Sequence, residues 1–185
     1  MINVNDLRKG VTFELDGELY RVLNYEHHKP GRGNAIIRTR VRNLRTGATV
    51  ERTFQSDDRV QDIRLDHQTV QFLYSDGDLY TFMDTETFEQ HVLSAKHLGD
   101  AVNYLTDGLT VELLTYQGEP IEVELPTTVD LLVTEAEPGV AGDTATSAMK
   151  QVTVQTGLKV MVPLFVNEGD TIRVDTRTGE YVTRV

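Results

Sequence analysis

The chain has 185 residues, with 18 Lys and Arg against 29 Asp and Glu, a formal net charge of −11. A composition of 39% hydrophobic and 25% charged side chains fits a soluble globular protein and excludes a disordered one. The lack of cysteine excludes disulfides, Fe–S clusters and Cys-ligated zinc, and no apolar run approaches the roughly 18 residues of a membrane span.

Met1 leads directly into polar Asn3, Asn5 and Asp6, so no secretory signal is expected and the chain reads as cytoplasmic. The 22 Val, 23 Thr and 6 Ile lean towards sheet. Val11–Asp16 and Glu18–Glu26 read as strands across an Asp16-Gly17 turn. Ala35–Asn43 alternates, with Ile37, Thr39, Val41 and Asn43 on one face and Ile36, Arg38, Arg40 and Arg42 on the other. Thr46-Gly47 then turns the chain into Ala48–Phe54, and Val60–Arg64 closes a first barrel-like domain, residues 1–64.

Thr69–Tyr74 and Leu79–Met83 open a second β-unit, followed by Glu89–Leu93. Leu98, Ala101, Val102 and Leu105 recur at helical spacing, which predicts a helix over 94–105 with Ser94 as its cap. A hairpin around Gln117-Gly118 completes a small five-stranded barrel, residues 65–126. Beyond Pro126, strands are expected at Thr127–Glu135, Val152–Gln155, Lys159–Val162, Thr171–Asp175 and Tyr181–Arg184, with a Gly/Ala/Thr/Ser stretch at 138–149. The fold class is therefore mostly β, as three small barrels with the third at 127–185.

Charge is unevenly spread. Residues 1–64 hold twelve basic and nine acidic side chains, residues 65–126 one basic and twelve acidic, and residues 127–185 five basic and eight acidic. Arg21, Lys29, Arg32, Arg38, Arg40, Arg42 and Arg45 face only Glu26 within 21–45. One end seeks a polyanion while the middle is repelled by it. Arg38, Arg40 and Arg42 with Arg45 read as an RNA-phosphate face or, alternatively, as a solvated face paired across strands to Glu51 or Glu26.

The segment His27-His28-Lys29-Pro30-Gly31-Arg32-Gly33-Asn34 sets one long cation between two glycines. Such a tip enters a narrow cleft unobstructed, and its backbone N–H groups can meet phosphate oxygens. The histidines lack a third ligand at recognisable spacing, so no metal is expected. Asp76-Gly77-Asp78 reads as a turn rather than a calcium loop. Glu122, Glu124 and Asp130 read as solvated faces rather than paired catalytic acids. No hydrolase or nucleotide-binding motif appears, and no cofactor is expected.

The sequence resembles the bacterial elongation factor P family over its whole length. The resemblance rests on Lys29-Pro30-Gly31-Arg32-Gly33-Asn34-Ala35, Arg42-Asn43-Leu44-Arg45-Thr46-Gly47, Phe82-Met83-Asp84, Glu124-Leu125-Pro126 and Gly142-Asp143-Thr144. It continues through the terminal run 175–184, including Asp175, Tyr181 and Arg184. It implies a KOW-like (SH3-like) first domain and two oligonucleotide-binding (OB) barrels, together shaped like a tRNA. It implies a non-enzymatic, monomeric factor that binds both ribosomal subunits beside peptidyl-tRNA and relieves stalling at consecutive prolines.

By the same resemblance, Arg32 lies at the tip near the CCA end of peptidyl-tRNA. Gly142-Asp143-Thr144 forms an mRNA-proximal loop, and Tyr181 and Arg184 contact the small-subunit side. Arg32 stands where many members carry a β-lysylated lysine. Members with a rhamnosylated arginine tend to lack the Pro-Gly-x-Gly frame present here, so an unmodified Arg32 is preferred over a substrate for a rhamnosyl-modifying enzyme. A guanidinium stays protonated and is no general base, so its action is positional. The alternatives are an elongation factor P-like paralogue, a single-stranded nucleic-acid-binding OB protein and a carboxylate-pair hydrolase. The acidic middle argues against the second, and no constellation supports the third.

Overall fold

Three antiparallel sheets carry most of the chain in the computed structural model, which describes residues 1–138 and 148–185. Gly142, Asp143 and Thr144 lie outside the described residues. The first sheet comprises β1 (Ile2–Asn3), β2 (Thr12–Leu15), β3 (Glu18–His28), β4 (Ile36–Asn43), β5 (Thr49–Gln55) and β6 (Arg59–Asp62), in the order β1-β6-β2-β3-β4-β5. The second comprises β7 (Asp66–Asp76), β8 (Leu79–Asp84), β9 (Gln90–Ser94), β10 (Thr110–Tyr116) and β11 (Glu119–Glu124), in the order β11-β10-β7-β8-β9. The third comprises β12 (Thr128–Ala136), β13 (Met149–Val154), β14 (Lys159–Pro163), β15 (Thr171–Asp175) and β16 (Tyr181–Arg184), in the order β14-β13-β12-β15-β16.

The residues group into two compact units, Met1–His67 with Leu114–Glu122, and Gln68–Leu113 with Val123–Val185. In the first unit the expected alternation of β4 holds: Ile37, Thr39, Val41 and Asn43 are buried while Arg38 and Arg40 are exposed and Arg42 is half-buried. Phe13 is fully buried, with its ring centroid 5.5 Å from Tyr20 and 6.2 Å from Phe54. Sealing one such ring from water contributes about 1.5–3 kcal/mol. A second cluster joins Leu19 and Leu44 to Ile121, with Ile63, Leu65 and Tyr116 packed against it.

The second unit corrects the expected helix. Only Ala95–Leu98 (α1) is α-helical, and Gly99–Tyr104 continues as a 3-10 helix. Ser94 does cap α1, its hydroxyl accepting the His97 N–H at 3.1 Å. Gly99 then takes φ 60° and ψ −132°, conformational space outside the helix that glycine enters freely. The apolar periodicity survives the break, because Leu98 and Leu105 remain buried against Val70, Phe72 and Phe82. In β12, Val129, Leu131 and Val133 point inward while Asp130 faces out and accepts from Arg173 Nε at 2.9 Å. Among the described residues no helix is long and apolar enough to cross a membrane.

Candidate nucleic-acid interface

β3 and β4 form the hairpin that presents the tip. Their pairing runs from Tyr20↔Asn43 to His28↔Ile36, with a bulge between Val22 and Asn24. The register ends at His28, so residues 29–35 extend past the last paired position. Lys29, Gly31, Arg32, Gly33 and Asn34 are exposed and Pro30 is half-buried. Gly33 sits at φ +107° with open space around the missing Cβ, so its backbone and not crowding calls for glycine. Gly31 has no such φ and faces the same open space, so neither backbone strain nor crowding calls for glycine there.

The basic side chains of 21–45 divide into two sets. Arg21 and Glu122 form an ion pair between half-buried side chains. Arg45 donates from Nε to Glu119 Oε1 at 3.1 Å and from Nη1 to the Gly17 carbonyl at 2.8 Å. The hydrogen bond to Glu119 holds the Arg45 pKa above its ordinary value. Lys29, Arg32, Arg38, Arg40 and Arg42 have no ion-pair partner within 4.0 Å among the described residues.

Glu26 and Glu51 stand in register opposite Arg38 and Arg40 without closing such a pair. These residues and Tyr25 line an open depression of about 340 Å³. Strand pairing thus leaves Lys29, Arg32, Arg38, Arg40 and Arg42 free along the hairpin and its tip, while Arg21 and Arg45 are neutralised at its other end. Such an arrangement accepts polyanion phosphate without first breaking ion pairs.

Arg8 and Tyr25 escaped the sequence reading. Arg8 Nη1 donates to the carbonyls of Asn5 and Leu7 at 2.8 and 2.7 Å, and its Cζ lies 4.8 Å from the Tyr25 ring centroid. The only cue is Asn3 ahead of Val4-Asn5-Asp6, a capping residue before a short 3-10 turn. Both residues border a groove at the foot of the tip loop.

The remaining predicted residues belong to the second unit. Tyr181 is half-buried on the core of the third sheet. Arg184 lies 3.7 Å from Asp170, with its Cζ 5.0 Å from the Phe165 ring centroid. His27 and His28 are exposed, and no group of three or more acidic or histidine side chains is arranged to hold a metal among the described residues.

Comparison with known proteins decides the family. The chain matches the elongation factor P KOW-like domain over residues 3–60, its OB domain over 65–123 and its C-terminal domain over 129–184. It is 50% identical over 184 residues to elongation factor P of Moorella thermoacetica, covering all of both chains. The chain belongs to the elongation factor P family. It is a translation elongation factor, mostly β, with KOW-like and OB domains. Elongation factor P of Clostridium perfringens (strain SM101 / Type A) is 51% identical over 185 residues, again over all of both chains. The solved structure of eukaryotic translation initiation factor 5A from Methanococcus jannaschii shares the fold at a TM-score of 0.56 and 23% identity. It covers 67% of this chain and 91% of its own.

Proposed function

We propose that this factor binds both ribosomal subunits beside peptidyl-tRNA and speeds peptide-bond formation at consecutive prolines. It acts in the cytoplasm as a monomer of three modules, residues 1–64, 65–126 and 127–185. Arg32 meets the CCA end and holds it in place, and the chemistry belongs to the ribosome. The carrying observation is the exposed Arg32 without an ion-pair partner among the described residues, on a hairpin whose other free cations are Lys29 beside the tip and Arg38, Arg40 and Arg42 along one strand.

Arg45 instead braces the opposite end of that hairpin through Glu119, so its part in RNA contact is indirect. Tyr181 and Arg184, with the segment holding Gly142, Asp143 and Thr144, serve contacts on the small-subunit and mRNA side. A tenfold rate gain needs only about 1.4 kcal/mol, which one charge-assisted hydrogen bond can supply.

The test is Arg32→Ala in purified translation of a message with consecutive prolines. Ribosome binding stays within a few-fold of wild type while relief of the stall is lost. Full relief by the variant overturns the role of Arg32. We read Arg32 as unmodified, in keeping with its Pro30-Gly31-x-Gly33 frame. The intact mass of natively expressed protein then equals that of the sequence, and a mass heavier by one deoxyhexose points to a rhamnosyl-modifying enzyme.

A further inference from the structure

We infer that the groove at the foot of the tip loop is a second anion site, built around Arg8 and taking a backbone phosphate of RNA. The groove encloses about 630 Å³ and is bordered by Arg8, Tyr25, His27, Lys29, Asn5 and Asn34 among others, with no carboxylate in its lining. Its charge is thus entirely positive in a molecule of net charge −11.

Arg8 is fixed before any ligand arrives. The carbonyls of Asn5 and Leu7 hold Nη1, and the Tyr25 ring supports the guanidinium plane. Those carbonyls are themselves anchored. Val4 and Leu7 are fully buried, and Asn3 caps the turn by accepting the Asn5 N–H at 2.8 Å.

Ordering a long side chain costs entropy, and most arginines fixed in this molecule recover it through a carboxylate. Arg21, Arg45, Arg173, Arg177 and Arg184 each have one within 4.0 Å. Arg8 has none among the described residues, and its Nε and Nη2 keep their donors unused there. A rigid fork with two free donors matches the spacing of phosphate oxygens. Lys29 adds charge from just past the neighbouring strand, and the His27 ring and the Asn34 amide add hydrogen-bonding groups. The groove is bordered by Gly33 and Asn34 of the same loop that carries Arg32, so an RNA chain at the tip has a neighbouring phosphate to place there.

This inference rests on the RNA-facing reading of the first unit, and its test separates the two. The labelled full-length protein is titrated at low salt with a single-stranded RNA trinucleotide, and separately with inorganic phosphate. The readouts are the Arg8 Nε–Hε and Tyr25 ring resonances. With RNA, both shift saturably and Arg8→Gln abolishes the Tyr25 shift; with phosphate, half-saturation needs at least about tenfold higher concentration. Equal response to phosphate makes this a free-anion site and overturns the RNA assignment, as does no response to RNA.

Should Arg8→Gln lower the melting temperature, Arg8→Lys keeps the charge without the fork and is expected to weaken RNA binding at least fivefold. On ribosomes, Arg8→Gln reduces the slope of log affinity against log salt by about 0.7–0.9, the share of one phosphate. An unchanged slope overturns the groove even where Arg32→Ala abolishes stall relief. A reduced slope with full activity of Arg32→Ala leaves the groove standing and removes the tip.

Discussion

Gly31 and Gly33 flank the same arginine under different constraints. At Gly33 the backbone holds φ +107°, which an L side chain adopts only with strain, whereas Gly31 carries no such demand. Gly33→Ala is therefore expected to cut stall relief at least tenfold while Gly31→Ala stays within about threefold of wild type, both read in purified translation with melting temperatures as controls. Equal losses would mean that side-chain bulk in the cleft matters and backbone geometry does not. The glycines and the cation between them were legible because turn chemistry is local. The difference between them was not, since φ is set by how the whole loop leaves His28 and returns at Ile36.

Among the elements, the hairpin of β10 and β11 braces the end of the β3–β4 hairpin away from the tip. Ile121 is fully buried against Leu19 and Leu44, and Glu119 and Glu122 take up Arg45 and Arg21. Ile121→Ala is expected to cost about 2–5 kcal/mol, seen as a lowered denaturation midpoint. A fragment ending at residue 64 lacks that side chain and should give a poorly dispersed amide spectrum; good dispersion would contradict this packing. The sequence hid this dependence, because Glu119 lies 74 residues beyond Arg45 and alternation says nothing about distant partners. The turn after β8 is held by a carboxylate. Asp84 Oδ1 accepts the N–H groups of Thr87 at 2.9 Å and Glu86 at 2.8 Å, which holds its carboxyl below the ordinary 3.8. Folding thus favours the charged form, so the stabilisation is complete above the unfolded carboxyl's range and fades as pH falls through the lowered folded value. Melting curves of Asp84→Asn and wild type should separate above about pH 5 and converge in acid, and a pH-independent gap would contradict the assignment.

For the molecule as a whole, a first segment with an excess of basic residues contrasts with a middle of twelve acids and one base, and a polyanion is attracted to the former and repelled by the latter. That contrast and most of the β-strands were legible, since both depend on composition and period-two patterning, whereas β1 is two residues long and too short to alternate, and β13 starts at Met149, earlier than its apolar pattern suggests. The continuous helix over 94–105 was misread because apolar spacing survives where Gly99 breaks the α-helical ladder. Arg8 went unseen because a lone cation after a short turn has no pattern, and its significance comes only from the Tyr25 ring and the carbonyls around it. The decisive measurement is an image of this factor on a ribosome that holds peptidyl-tRNA at a proline stall. There the Arg32 guanidinium is expected within hydrogen-bonding distance of the tRNA 3′ end. Density that leaves Arg32 in open solvent, or sets the acidic middle segment at the reaction centre, would contradict it.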